Sequence, residues 1–322
     1  MGSGCFNLIL NPLLLGFSTL RKNFLTGALK MKKNLSSFSK YNEEDAIGHF
    51  NQNGYFLFRG FFNKKTAIDA ACWVKAQETD KLAKSWTEQE PGVPLAVYSV
   101  VDNGNSPIAQ LVSNPKILEM AGKLIGKPTY LWSSKVNIKA PWCGAVEYYH
   151  QDLVYWKDRG YSNNDMLSCM IFLEKHNFHN AALQVLAGTH RLGFVSHQPF
   201  ININGLSKRM IPPETLNKLF KDHGLESIEA EPGDALFFHS CLVHGSSHNI
   251  SPNGRMIALA QLNTTSNKPK EVLSNTKRFN LLRAQAEVEE ADRRYKYFKE
   301  KYDKQLESDE PLFCPPIPDQ EK

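Results

Sequence analysis

The sequence has few of the features that mark secreted, fibrous or membrane-spanning proteins. Its six cysteines form no Cys-x-x-Cys pair and no short regular spacing, which argues against a zinc knuckle or a disulfide framework. They are instead typical of a reducing, intracellular compartment. No apolar run is long enough to predict a stable membrane span. The 322 residues, 42% of them hydrophobic, suffice for one large core.

Acidic residues are absent from the first 42 residues, which contain six lysines and arginines. This segment contributes +6 to a net charge of +5, so the rest of the chain carries −1 and is not expected to bind nucleic acid through a basic surface. An acid-free start with serine and lysine is typical of a transit peptide for a plastid or mitochondrion. The alternative is a flexible arm of a cytoplasmic protein.

Short apolar runs alternate with turn residues from Tyr130 onward, and this alternation is typical of a double-sheet jelly roll. Helices are predicted for Glu43–Phe50, residues 64–84, Pro115–Ile125 and Pro213–Lys221. We therefore predict a mainly β fold with flanking helices and a double-stranded β-helix core, cupin-like in form. The catalytic domain is predicted at residues 43–282, after a leader of 1–42 and before a charged helix and tail at 283–322.

Two separated fragments carry the chemistry. His150-Gln151-Asp152 is followed 92 residues after Asp152 by His244, with Arg255 another 11 residues on. Two imidazoles and one carboxylate hold non-haem Fe(II) on one face and leave the opposite positions open. Residues at i and i+2 of a strand share a side, so one strand end can supply both ligands of the first fragment. These residues predict an open ferrous site.

Arg255 follows His244 after a Ser-Pro-Asn-Gly turn, which predicts that the two residues lie on neighbouring strands of a hairpin. Its planar guanidinium suits bidentate pairing with the carboxylate of an anionic co-substrate. Ser246 lies two residues after His244 and should point to the same side of the strand. Of the remaining histidines, His239 is expected to be structural, and His176 and His179 to be solvated in a polar loop.

These residues resemble the phytanoyl-CoA dioxygenase-like family of Fe(II)/2-oxoglutarate-dependent oxygenases. The likeness covers Ser134–Leu262 and follows the family's order of motifs. The matching blocks are Lys135-Val136-Asn137-Ile138-Lys139, Tyr149-His150-Gln151-Asp152-Leu153, Leu183-Gln184-Val185-Leu186-Ala187-Gly188-Thr189-His190, Pro232-Gly233-Asp234-Ala235-Leu236-Phe237-Phe238-His239, and Val243-His244-Gly245-Ser246 with Arg255.

The resemblance implies that His150, Asp152 and His244 bind iron. It also implies that Arg255 and Ser246 hold the distal carboxylate of 2-oxoglutarate, and that Asn137 contacts it. The expected reaction uses O2 to oxidise a small molecule by hydroxylation, cyclisation or desaturation, as in specialised metabolism, with succinate and CO2 as co-products. The alternative is a metal-binding cupin without redox activity, which would not need Arg255 and Ser246.

Aromatic and sulfur side chains near the ligand strands are candidates for the substrate pocket. Tyr148 shares a strand face with His150 by alternation, and Trp156 follows the same segment. Met170 lies on the next predicted strand. Each of these side chains could also be part of the hydrophobic core.

Overall fold

The computed structural model of the chain describes residues 42–76, 85–87, 94–98, 106–142, 144, 146–157, 160–161, 164–201 and 207–268. The predicted leader, apart from Asn42, and the predicted C-terminal helix and tail lie outside these residues. The proposed division into leader, catalytic domain and tail therefore stays a prediction.

The helices begin and end at residues suited to helix termini. Asn42 and Asn114 accept hydrogen bonds from backbone N–H groups of the first turns that follow them, and Gly54 and Gly126 end the same two helices in the left-handed conformation. The helices are α1 (Glu43–Asn53), α2 (Lys64–Ala76), α3 (Pro107–Val112), α4 (Pro115–Ile125), α5 (Leu153–Lys157) and α6 (Pro213–His223), with 3-10 turns at Phe178–Asn180 and Thr189–Leu192.

Thirteen strands are present in the described part of the chain, and they form two sheets and a separate hairpin. The strands are β1 (Tyr55–Phe58), β2 (Ser85–Thr87), β3 (Pro94–Tyr98), β4 (Thr129–Lys139), β5 (Glu147–His150), β6 (Met166–Phe172), β7 (Leu183–Leu186), β8 (Gln198–Ile201), β9 (Ser207–Met210), β10 (Glu226–Ile228), β11 (Ala235–His239), β12 (Val243–Ser246) and β13 (Arg255–Thr264). The larger sheet has the order β1-β11-β6-β13-β4-β3-β2, the smaller has β10-β7-β12-β5, and β8 pairs with β9. All these pairings are antiparallel.

The core has two main layers, one on each face of the larger sheet. One cluster joins α1 to α4 with the outer face of this sheet, through residues such as Leu118, Val136 and Ala258. The second cluster combines Val185 of the smaller sheet with Phe238 and Leu259 of the larger one, so it lies between the sheets. Two sheets facing each other over an apolar interior, with helices on the outside, match the predicted jelly roll.

None of the helices in the described residues is long and apolar enough to cross a membrane.

Candidate active site

Three potential metal ligands converge at one end of the interior. His150 ends β5, Asp152 lies two residues later, and His244 is the direct cross-strand partner of His150 on β12. The ligand atoms of the three side chains all lie within 4.8 Å of one another. Asp152 Oδ1 is 3.8 Å from His150 Nε2 and 3.7 Å from His244 Nε2. The structure thus brings together the three residues that the sequence predicted as iron ligands.

Hydrogen bonds orient each of these donors. His150 Nδ1 lies 2.7 Å from the carbonyl of Tyr148, and His244 Nδ1 lies 3.0 Å from that of Leu242. A proton on each Nδ1 would satisfy these carbonyls and leave the Nε2 lone pairs for a metal. Ser168 Oγ donates to Asp152 Oδ2 at 2.8 Å, which leaves Oδ1 directed at the histidines.

The electrostatics of the triad also suit a cation. Burial, together with the neighbouring His244, lowers the pKa of His150 to about 4, so its imidazole is neutral at neutral pH. Two imidazoles and one carboxylate form the facial donor set of non-haem Fe(II) enzymes. The residues present therefore fit ferrous iron.

Beside the triad, two buried cations lie directly opposite each other. Arg255 begins β13 and pairs across the ladder with Lys139 at the end of β4. Arg255 Nη2 donates to Ser246 Oγ at 3.1 Å, and Lys139 Nζ donates to the same oxygen at 2.8 Å and to the carbonyl of Ser247 at 2.6 Å. Like charges on opposite residues repel, and the repulsion is strong where water is excluded.

A buried cation is normally paired with a carboxylate. Among the described residues no carboxylate forms an ion pair with Arg255, and its Nε is buried without a hydrogen bond. Burial lowers the pKa of Arg255 to about 10. Asn137, two residues before Lys139 on the same face of β4, also has a buried amide oxygen without a partner. This constellation suits the binding of an anion.

The predicted hairpin between His244 and Arg255 is wrong. β12 belongs to the smaller sheet, whereas β13 pairs with β4 and β6 in the larger one. The intervening segment crosses from one sheet to the other, and Asn249 holds its turn through bonds to Ser251 and the carbonyl of Asn253. Arg255 still reaches the strand of His244, because its Nη2 donates to Ser246 Oγ.

Three residues of the site were missed from the sequence. Ser168 lies in none of the matching blocks. Lys139 was given no role, although it ends one of those blocks and strand alternation places it on the side of Asn137. His176 was expected to be solvated, and this is wrong, because it is 1% exposed and its ring meets Phe172 edge to face at 4.7 Å. Burial and Arg255 lower its pKa well below the ordinary value, so it adds no charge beside the cations. His179 is exposed, as predicted.

The weaker substrate candidates have different surroundings. Met170 lies in the cluster between the sheets. Tyr148 is 43% exposed and contacts Phe200 edge to face. Trp156 is not brought to the triad, because α5 starts immediately after Asp152 and directs this indole into the helix-side core against Trp132.

The sequence matches the family model described as phytanoyl-CoA dioxygenase (PhyH) over residues 50–257. The chain belongs to the phytanoyl-CoA dioxygenase family. Among its relatives is an L-proline trans-4-hydroxylase of Streptomyces griseoviridis, 29% identical over 50% of this chain and 64% of its own length. An ectoine dioxygenase of Sphingopyxis alaskensis is 27% identical over 68% of this chain and 75% of its own length.

Solved structures of other proteins have the same fold as this chain. EctD from S. alaskensis in its apoform has a TM-score of 0.61 at 22% identity, covering 73% of this chain and 81% of EctD. The epimerase SnoN from nogalamycin biosynthesis has a TM-score of 0.52 at 15% identity, over 69% of this chain and 83% of SnoN. EctD has also been solved with bound Fe and with 2-oxoglutarate and 5-hydroxyectoine.

These findings confirm the predicted family and jelly-roll fold. They also confirm the predicted enzyme class, a 2-oxoglutarate-dependent non-haem iron dioxygenase, with Fe(II) and 2-oxoglutarate as its cofactor and co-substrate.

Proposed function

We propose that the protein hydroxylates a small-molecule substrate, with His150, Asp152 and His244 binding Fe(II) and with Arg255, Lys139 and Ser246 binding the distal carboxylate of 2-oxoglutarate. Asn137 would contact the same co-substrate through its amide. When bound, Fe(II) supplies the redox chemistry that couples decarboxylation of 2-oxoglutarate to succinate and CO2 with oxidation of the substrate by O2.

The observation that carries this proposal is the cation pair next to the triad. Arg255 and Lys139 are buried, face each other and converge on Ser246 Oγ. Two like charges that face each other in a buried position repel, and an anion bound between them would offset that repulsion. A carboxylate placed between them would accept charge-assisted hydrogen bonds from both and relieve that cost.

The other residues of the site would hold the reacting groups in place. Ser168 fixes the carboxylate of Asp152 by its 2.8 Å bond. The rings of Tyr155 and Phe238 pack against the two imidazoles, at 5.7 Å from His150 and 5.0 Å from His244. These apolar surfaces limit the access of water to the metal side of the site.

Hydroxylation is favoured over cyclisation or desaturation by the relatives named above. One is an L-proline trans-4-hydroxylase, and EctD has been solved with 5-hydroxyectoine. Both act on small molecules, which supports a small-molecule substrate for this chain as well. A non-redox, metal-binding cupin is the alternative, and it offers no reason for the Arg255–Lys139 pair.

An anaerobic titration with Fe(II) and 2-oxoglutarate tests the proposal. The wild type should give the weak visible charge-transfer band of an iron-bound keto acid. Asp152→Ala should abolish the band and Arg255→Gln should require much more 2-oxoglutarate to produce it, whereas the exposed Arg191→Gln should behave like the wild type. Metal binding without any band would contradict the proposal and favour the cupin alternative.

We also propose that the basic leader is dispensable for catalysis. Removal of residues 1–40 should leave the formation of succinate unchanged, and loss of folding in the truncated protein would contradict this.

A further inference from the structure

Between two of the residue pairs that join β5 to β12, β5 has one residue more than β12. His150 pairs with His244, but the next pair joins Glu147 with Ser246, so three steps along β5 match two along β12. This is a β-bulge, a feature that redirects side chains and is common beside active sites. Without the bulge, Glu147 would point away from the side of His150, since side chains alternate along a strand.

The bulge turns Glu147 toward the interior of the barrel. Directly paired residues of an antiparallel ladder lie on the same face, and Ser246 points at Arg255 and Lys139. The charges around Glu147 agree with this placement, because it interacts electrostatically with His150 and Lys135, and with Arg255. A carboxylate that is not a candidate metal ligand therefore borders the same interior as the triad.

One oxygen of this carboxylate has no hydrogen-bond partner among the described residues. Glu147 Oε2 accepts a hydrogen bond from Lys208 Nζ of β9 at 2.8 Å, and no other described residue bonds to the carboxylate. The side chain is 32% exposed. Burial raises the pKa of Glu147, but Lys208 and His150 outweigh it and lower the pKa to about 2, so the group stays charged at neutral pH.

We propose that Glu147 is a specificity-determining residue that binds the protonated amine of a free amino acid, the substrate of this enzyme. This inference rests on the proposed function and adds the class of substrate. An ammonium group has three N–H donors, and a charged acceptor such as the free oxygen of Glu147 is its natural partner. Lys135, which also interacts electrostatically with Glu147, offers a cation for the carboxylate of the same zwitterion.

A purely structural role makes a different prediction. The Glu147–Lys208 pair also links β5 to the β8–β9 hairpin, which Phe200 further joins to Tyr148. If the pair served only to hold the hairpin, then Glu147→Gln and Lys208→Gln would be equally harmful. If Glu147 binds the amine, loss of Lys208 frees a second oxygen of the carboxylate, and Lys208→Gln should not weaken amine binding.

The experiment measures succinate formation by the full chain with Fe(II), 2-oxoglutarate and O2. The probes are the standard L-amino acids, each beside its N-acetyl derivative, in which the amine is neutral. The proteins are the wild type, Glu147→Gln, Lys208→Gln and the exposed control Lys175→Gln. Formation of the anaerobic charge-transfer band is recorded for each protein in parallel.

We expect at least one free amino acid to stimulate the wild type while its N-acetyl derivative does not. Glu147→Gln should raise the KM for that amino acid by roughly 10- to 100-fold, the loss of one charge-assisted hydrogen bond, with a smaller change in kcat and an unchanged band. Lys208→Gln should leave the KM equal or lower, and Lys175→Gln should match the wild type.

If the charge-transfer band forms in the wild type, several results would overturn the inference and leave the proposed function intact. They are stimulation by the N-acetyl derivatives, an unchanged KM in Glu147→Gln, and no stimulation by any free amino acid. Equal losses in Glu147→Gln and Lys208→Gln would assign the pair to structure and also overturn it. Absence of the band in the wild type would overturn the proposed function, and this inference with it.

Discussion

Replacement of Lys139 by methionine should weaken 2-oxoglutarate binding in a defined way. Methionine keeps an unbranched apolar side chain but removes the charge and the donors that reach Ser246 and Ser247. A hydrogen bond to a charged group contributes about 1.5–3 kcal/mol. Since about 1.4 kcal/mol corresponds to a factor of ten, the Kd for 2-oxoglutarate should rise roughly 10- to 150-fold.

A comparison of two keto acids distinguishes the loss of the distal carboxylate contact from a general disruption of the site. 2-Oxovalerate has the same keto acid as 2-oxoglutarate but no distal carboxylate. The Lys139→Met variant should therefore bind 2-oxovalerate as the wild type does, while its binding of 2-oxoglutarate weakens. Anaerobic titration of the charge-transfer band with each acid measures both constants, and Lys175→Met, at an exposed ion pair with Glu231, serves as control.

Two results would refute this reasoning. An equal loss for both acids would mean that Lys139 maintains the triad rather than the tail of the co-substrate. An unchanged affinity for 2-oxoglutarate would mean that Arg255 and Ser246 suffice, and that Lys139 is buried for another reason.

Further predictions concern the support of the triad and the protein's response to pH. Ser168→Ala should weaken Fe(II) binding roughly 10- to 100-fold in a metal titration, because Asp152 loses its orienting bond; unchanged affinity would contradict this. Gly245→Ala should destabilise the protein by about 1–3 kcal/mol in urea unfolding, because its Cβ would lie 2.9 Å from the carbonyl of Glu147; wild-type stability would show that the bulge can yield. Burial lowers the pKa of His239 to about 4. In the unfolded chain this imidazole gains a proton below pH ~6.5, whereas in the folded chain it gains one only near pH 4. The free energy of unfolding of the iron-free protein should therefore fall as the pH drops through this window, and His239→Asn should reduce the slope.

The triad could be predicted from the sequence because most of its geometry is local. His150 and Asp152 are two residues apart, and a strand end fixes their relation. His244 is distant in sequence, but Ser246 and Arg255 mark its segment. The position of Arg255 on β13 could not be predicted in the same way, because a spacing of 11 residues fits both a hairpin and a crossover between sheets.

The missed residues depend on pairing that no single segment encodes. Lys139 becomes part of the site only because β4 pairs with β13 in the register that places it opposite Arg255. Glu147 enters the interior only through an irregularity between β5 and β12. His176 has polar neighbours in sequence, yet packing against Phe172 buries it. Each of these outcomes is decided by tertiary contacts, which outweigh the local pattern.

The candidate site includes residues from both sheets, and the hydroxyl of Ser246 links them. This hydroxyl belongs to β12 of the smaller sheet but bonds to Arg255 and Lys139 of the larger one. It follows His244 by two residues, a rise of ~6.8 Å along a strand. The strand thereby sets the spacing between the proposed metal ligand His244 and the cation pair, and this spacing is of the order of an extended five-carbon diacid. In the proposed site a shorter keto diacid would not reach both cations, so we expect the spacing of these two residues to favour 2-oxoglutarate.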